Sequence, residues 1–267
     1  MDAKPALFLY PLEHSKILHL VICTRVFLFL CSLFMSQDRF PQFYVSIQVR
    51  HAQGIHNVAG EKDHNALLSP EYFDAHLSPL GGQQADNLRK QIRASGQLER
   101  IDLVITSPLC RALQTAIQVF GSEGQINGSK EANIDNSGIS SLKCPPIVAS
   151  ELCRERLGVH PCDKRRTISE NRSRFPTIDF SLIESDEDIL WRTDARETDE
   201  EIAARGLKFM NWLWTRPEKE IAIVTHHRFL EHTLNALGND YHPSVKNKMC
   251  KKFENCELRS MIIVDKE

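Results

Sequence analysis

Short, nearly unbroken apolar runs that stop abruptly at polar or charged residues punctuate this chain. "YVSIQV" (44–49) runs into Arg50 and His51, "IDLVITS" (101–107) into "PLCRALQTAIQVF", and "EIAIVT" (220–225) into "HHRFLEHTLNAL". The apolar runs have the length and composition of strands buried on both faces, and the second and third lead into segments with apolar residues at helical spacing. In "SPLCRALQTA" Ser107 reads as the helix N-cap and Pro108 as its first-turn residue. Strands alternating with amphipathic helices predict an α/β three-layer sandwich: a mostly parallel central sheet with helices on both faces. The Gly-, Ser- and Asn-rich segment 121–141 reads as a loop. The charged stretch from Arg165 turns helical near Asp199, with Leu207, Met210 and Leu213 as its core stripe.

The start of the chain breaks this order. Residues 17–35, "ILHLVICTRVFLFLCSLFM", come near the roughly 20 apolar residues a membrane span needs, but His19 and Arg25 interrupt them. The continuous part has only the length of a signal-peptide core and lacks a basic segment before it, so a membrane anchor is the minor reading and a cytoplasmic protein the expected one. Removing Val21 to Gln48 would join "KILHL" to "VRHAQGIHNV", one clean strand leading into Arg50-His51. The excised piece begins on a valine and ends on a glutamine, whose codons are compatible with the GT and AG ends of an intron. The chain is therefore read as a single domain over 1–267 in which 21–48 is an insertion with the marks of a retained intron. Of the two competing strands, 44–49 is covalently adjacent to Arg50 and is expected to take the place before it, leaving the extra residues to bulge out or displace a sheet edge.

Composition narrows the function. The 267 residues carry a net charge of −2, which offers no attraction for nucleic acid. Eight cysteines without any Cys-x-x-Cys pair suit neither a zinc site nor a disulfide scaffold and read as free thiols. No metal or organic cofactor is implied, and oligomeric state leaves no mark. Asn-x-Ser sequons at Asn127 and Asn171 would matter only in a secreted protein.

In parallel sheets ligands bind beyond the carboxyl ends of the strands. That rule brings Arg50, His51, Arg111 and His226 to one edge, with helix amino termini that favour an anion. Two arginines, which can fork onto phosphate oxygens, and two imidazoles make a phosphate pocket.

The motifs themselves then become recognisable. "RHAQGIHN" (50–57) resembles the Arg-His-Gly signature of the histidine phosphatase superfamily, the phosphoglycerate-mutase-like proteins. "LSPLGGQQA" (77–85), "SPLCRALQTA" (107–116) and "VTHHRFL" (224–230) resemble its other ordered blocks, and the resemblance spans about residues 49–265 and the first 21. Ala52 and His227 stand where the family has glycine. The resemblance implies that His51 is a nucleophile that accepts a phosphoryl group, and that Arg50, Arg111 and His226 hold its oxygens, joined by Asn57. It also implies a carboxylic acid that protonates the leaving group: Glu155, in "ERLG", with Glu151 as the alternative. His56 and His160 lie toward the expected mouth, where surface histidines are the ordinary reading. Lys164, Arg165 and Arg166 either attract an acidic substrate or form a solvated run. The implied partner is a small phosphorylated substrate. Phosphatase and mutase share this chemistry; because "RHAQGIHN" lacks the Arg-His-Gly-Glu-Ser start of glycolytic mutases, phosphatase activity, in carbohydrate metabolism, is the favoured reading. A mutase or a catalytically impaired splice form that binds phosphate stays open.

Overall fold

The structure, a computed structural model, describes residues 8–11, 43–122, 144–237 and 250–264. Among the described residues seven strands form one sheet in the order β1-β7-β2-β6-β3-β4-β5. They are β1 (Phe8–Pro11), β2 (Phe43–Arg50), β3 (Leu103–Thr106), β4 (Ile147–Ala149), β5 (Ile178–Asp179), β6 (Glu220–Thr225) and β7 (Leu258–Val264). The run β2-β6-β3-β4-β5 is parallel throughout, and β7 is antiparallel to both β2 and β1. The helices are α1 (Ile55–Lys62), α2 (Pro79–Ala94), α3 (Cys110–Phe120), α4 (Ile168–Arg174), α5 (Asp199–Trp214) and α6 (His227–Leu237).

Strand pleating explains the three layers. Successive side chains of a strand point to opposite faces, so a continuously apolar strand must be covered twice. Val104, Ala222 and Val224 pack with Ile47 and Val49 under α2 and α3, against Leu88, Ile92, Leu113 and Val119. Leu103, Ile105, Ile221 and Ile223 face the other way, onto Ile202, Phe209 and Leu213 of α5 and Phe229, Leu230 and Leu234 of α6. Each such side chain, fully buried, contributes about 1.5–3 kcal/mol by leaving water.

Residues 44–49 do take the strand before Arg50: β2 pairs with β6 from Val45↔Glu220 to Arg50↔Thr225 and with β7 on its other side. The competing Lys16–Val21 run and the apolar segment 17–35 lie outside the described residues, as does most of the 121–141 loop. Among the described residues no helix is long and apolar enough to cross a membrane. An edge strand that the sequence pattern did not announce, β1, closes the sheet beside β7.

Two sequence expectations are corrected. Ser107 and Pro108 precede α3 without starting it. Leu109 is still extended (φ −76°, ψ 137°), and the first helical N–H, of Cys110, donates 2.9 Å to the carboxylate of Asp74 from a distant loop. Leu207, expected in the core stripe of α5, is 37% exposed, whereas Met210 and Leu213 are buried. The sequon residue Asn171 is fully buried and its amide donates to the Pro108 carbonyl, which closes it to glycosylation in the folded chain.

Candidate active site

The sheet register sets the site. Arg50 and Thr225 pair at the ends of β2 and β6, and Thr106 and Ala149 pair at the ends of β3 and β4. Arg50, His51, Ser107 and His226 therefore emerge at one edge, and α3 returns Arg111 to it. His51 is 2% exposed, Arg111 1% and His226 fully buried.

The tautomer of His51 is fixed from both sides of its ring. Nδ1 lies 2.7 Å from the Ala52 carbonyl, which can only accept, so Nδ1 carries the proton. Nε2 accepts from Nε of Arg111 at 3.3 Å, so its lone pair faces the guanidinium. Burial, with Arg111 and Arg50 beside the ring, holds the His51 pKa well below the ordinary imidazole value. The ring is neutral at physiological pH, the state an attacking imidazole needs.

Arg111 is itself clamped. It donates to the Cys162 carbonyl at 2.5 Å and to Asp163 Oδ1 at 2.9 Å, and Arg196 also reaches Asp163, at 3.2 Å. Arg50 donates to the Phe253 carbonyl at 2.7 Å. Nε2 of His226 lies 2.8 Å from the Ser107 hydroxyl, whose oxygen also accepts from the N–H of Leu109 at 3.4 Å. The rings of His51 and His226 are 5.0 Å apart, centre to centre. Nε of Arg50 and Nδ1 of His226 are buried with no protein partner among the described residues. Buried polar atoms are normally paired, and orphans on two basic side chains at one edge fit an anion.

The loop that follows His51 is braced by the other motifs. The Ala52 N–H donates to Thr115, Gln53 N–H to Gln84, and Leu77 N–H to Gln114. The Ser78 hydroxyl donates to Gln53 Oε1 at 2.7 Å. Gly81 is required here: a Cβ on it would lie 2.1 Å from the Gln53 carbonyl oxygen. These contacts give "LSPLGGQQA" and "RALQTA" a physical task, holding the histidine loop still. Asn57 accepts from the Gly54 N–H at 2.9 Å, which caps α1 with its oxygen and turns its amide nitrogen the other way.

The two candidate acids separate clearly. Glu151 is consumed by two buried guanidiniums, Arg165 at 2.6 Å and Arg154 at 3.0 Å. Glu155 is partly buried near Arg50 and Arg111; burial first, then the Asp163 carboxylate, push its pKa up. A raised pKa is what a proton donor requires.

Two further readings change. His56 is 6% exposed, with its ring centre 5.8 Å from that of His51, and is no surface histidine. Arg165 neither attracts substrate nor meets solvent: besides Glu151 it donates to the carbonyls of Arg166, Asp186, Ser185 and Glu187. His227, in place of the family glycine, is partly buried near Arg50, and burial lowers its pKa to about 4. His160, Cys162 and Asp163 bring ligand-type atoms within 4.8 Å of one another. Asp163 already receives two guanidiniums and burial keeps the Cys162 thiol protonated, so this donor set does not suit a cation.

No family model matches the chain. Among curated proteins it is 61% identical over 226 residues to "Phosphoglycerate mutase-like protein 1" of Arabidopsis thaliana, covering 82% of this chain and 80% of that one. It is 48% identical to "Phosphoglycerate mutase-like protein 2" of the same plant, across the whole of this chain and 79% of the relative. Among solved structures the ecdysone phosphate phosphatase of Bombix mori, in complex with tungstate, shares the fold with a TM-score of 0.51 at 16% identity, over 81% of this chain and 88% of that one. The chain belongs to the phosphoglycerate-mutase-like proteins.

Proposed function

We propose that this chain, folding as one domain in which 21–48 is an insertion, is a phosphatase that works through a phosphohistidine on a small phosphorylated metabolite. One observation carries the reading: His51 is neutral, its Nδ1 proton is fixed on the Ala52 carbonyl, and its Nε2 lone pair meets Arg111. Nε2 attacks phosphorus as the bond to the leaving oxygen breaks, and Glu155 gives that oxygen its proton. Arg50, Arg111 and His226, with the amide of Asn57, hold the non-bridging oxygens, where positioning and charge do most of the work of phosphoryl transfer. Water then attacks the phosphohistidine and yields its proton to the Glu155 carboxylate. Inorganic phosphate leaves, and His51 and Glu155 return to their starting states.

Hydrolysis is favoured over mutase action by how the nearby basic side chains are used. A mutase must also hold the rest of an acidic substrate between its two transfers. Arg156 donates to the Glu197 carbonyl and pairs with Asp199 at 3.3 Å, Arg196 pairs with Asp163, and Lys164 lies over the Trp191 ring at 4.9 Å.

The test is turnover of 4-nitrophenyl phosphate and of phosphoglycerates by the full chain, with free phosphate and isomerised product measured together. Free phosphate in excess supports the phosphatase; predominant isomerisation identifies a mutase. Phosphate binding without turnover would identify an impaired, phosphate-binding form.

A further inference from the structure

We propose that His56 is a further substrate-contacting side chain of the phosphoryl site: α1 places beside the nucleophile a neutral imidazole that donates to an oxygen of the bound phosphoryl group. The inference rests on the phosphohistidine reading above and adds to it a residue outside the four motif positions first gathered at the sheet edge.

Its surroundings suit an anion and little else. His56 is 6% exposed, its ring centre is 5.8 Å from that of His51, and the two planes are inclined by 39°. The charged and titratable groups that act on it are Arg111, Arg50 and His160, all basic. Other histidines of the chain have a carboxylate or carbonyl at hand: His76 the Leu77 carbonyl, His160 Asp163, His227 Glu231 and His232 Asp199. Nδ1 of His56 is buried with no protein partner among the described residues. A core chosen for stability alone would not set an imidazole among guanidiniums with no carboxylate acting on it.

The ring is also held in place. A Cβ on Gly54 would lie 2.6 Å from Nδ1 and 2.7 Å from Cε1 of His56, so the Nδ1–Cε1 edge sits tight against the histidine loop. The donated N–H is therefore placed on Nε2, at the opposite edge of the ring, with Nδ1 the unprotonated nitrogen against the loop. Burial and the neighbouring cations hold the ring uncharged in the free protein, so what it offers is an N–H donor and not a third full charge.

The experiment is calorimetric titration of the full chain, His56→Phe and His56→Gln with inorganic phosphate, with thermal melting as the folding control. Phenylalanine keeps the ring and loses the donor; glutamine places an amide N–H near the position of Nε2. The expected result is that His56→Phe weakens phosphate binding by about tenfold to a hundredfold, the range for a hydrogen bond to a charged group, and that His56→Gln recovers most of it. Should the phenylalanine variant not fold, His56→Leu carries the same expectation. Both variants binding like the parent, or both weakened equally, would overturn the role of His56 and leave the phosphohistidine reading standing. A parent chain that does not bind phosphate at all would overturn that reading, and the inference with it.

Discussion

Arg111 donates its Nε–H to Nε2 of His51 across 3.3 Å while its other nitrogens are held by the Cys162 carbonyl and Asp163. The guanidinium thus marks where the nucleophilic lone pair points and is fixed before substrate arrives. As Nε2 attacks, this Nε–H must pass from the lone pair to a phosphoryl oxygen, while the two anchored nitrogens keep the rest of the guanidinium in place.

Arg111→Lys keeps the charge and loses the planar fork that reaches three acceptors at once. We expect kcat/KM for 4-nitrophenyl phosphate to fall by roughly 10²-fold or more. Arg111→Met also takes its shortest ion pair from the buried Asp163, leaving Arg196 at 3.2 Å and His160 and the Cys162 thiol at 3.8 Å. Its chemical-denaturation midpoint should drop by an amount equivalent to about 3 kcal/mol, the lower end for a broken buried ion pair.

Glu155 and Glu151 should respond in opposite ways. Glu155→Gln removes the proposed proton donor without breaking a buried ion pair, so phosphorylation of His51 should slow by roughly 10²–10⁴-fold with little change in melting temperature. Glu151→Gln leaves the guanidiniums of Arg154 and Arg165 short of a carboxylate. It should cost about 3 kcal/mol or more of stability, while activity per folded molecule persists. Single-turnover kinetics and denaturation on the same two variants check both halves.

The pH dependence follows from the two shifts. Phosphorylation needs His51 neutral and Glu155 protonated. The His51 pKa lies well below the ordinary 6.5, so the acid limb should fall below that value. The Glu155 pKa is raised from its ordinary 4.5, so activity should decline with rising pH above that value as Glu155 loses its proton. In single-turnover pH profiles, Glu155→Gln should lose the alkaline limb and keep the acid one.

Gly81→Ala should be disproportionately harmful for so small a change. The new methyl would meet the Gln53 carbonyl oxygen, a backbone atom two residues from His51, at 2.1 Å. The expected cost is about 1–3 kcal/mol of stability, with a lower kcat even at temperatures where the variant is fully folded, because the histidine loop must shift. A stability loss with unchanged kcat would show that the loop tolerates the displacement.

What the sequence made legible shares a physical feature. Arg50, His51 and His226 sit where buried strands end, and those strands announce themselves as short apolar runs. Arg111 follows from helical spacing after the second of the three apolar runs, 101–107. Asp74 and Asp163 escaped notice because the residues they serve, Cys110 and Arg111, are 36 and 52 positions away, and the acids lie in a turn and a three-residue 3-10 helix, both too short for a period to read. Arg165 looked like one charge in a solvated run, yet its guanidinium is buried under four carbonyls and Glu151. His56 looked like a surface residue because a polar helix start resembles solvent exposure until the neighbouring loop is in place.

The most direct test of the central claim is to quench the full chain during turnover of 4-nitrophenyl phosphate and map any protein-bound phosphate. The account predicts alkali-stable, acid-labile phosphate on the peptide carrying His51, approaching one per chain and lost in His51→Asn. Steady turnover with no such phosphate, or with the label on another residue, would contradict it.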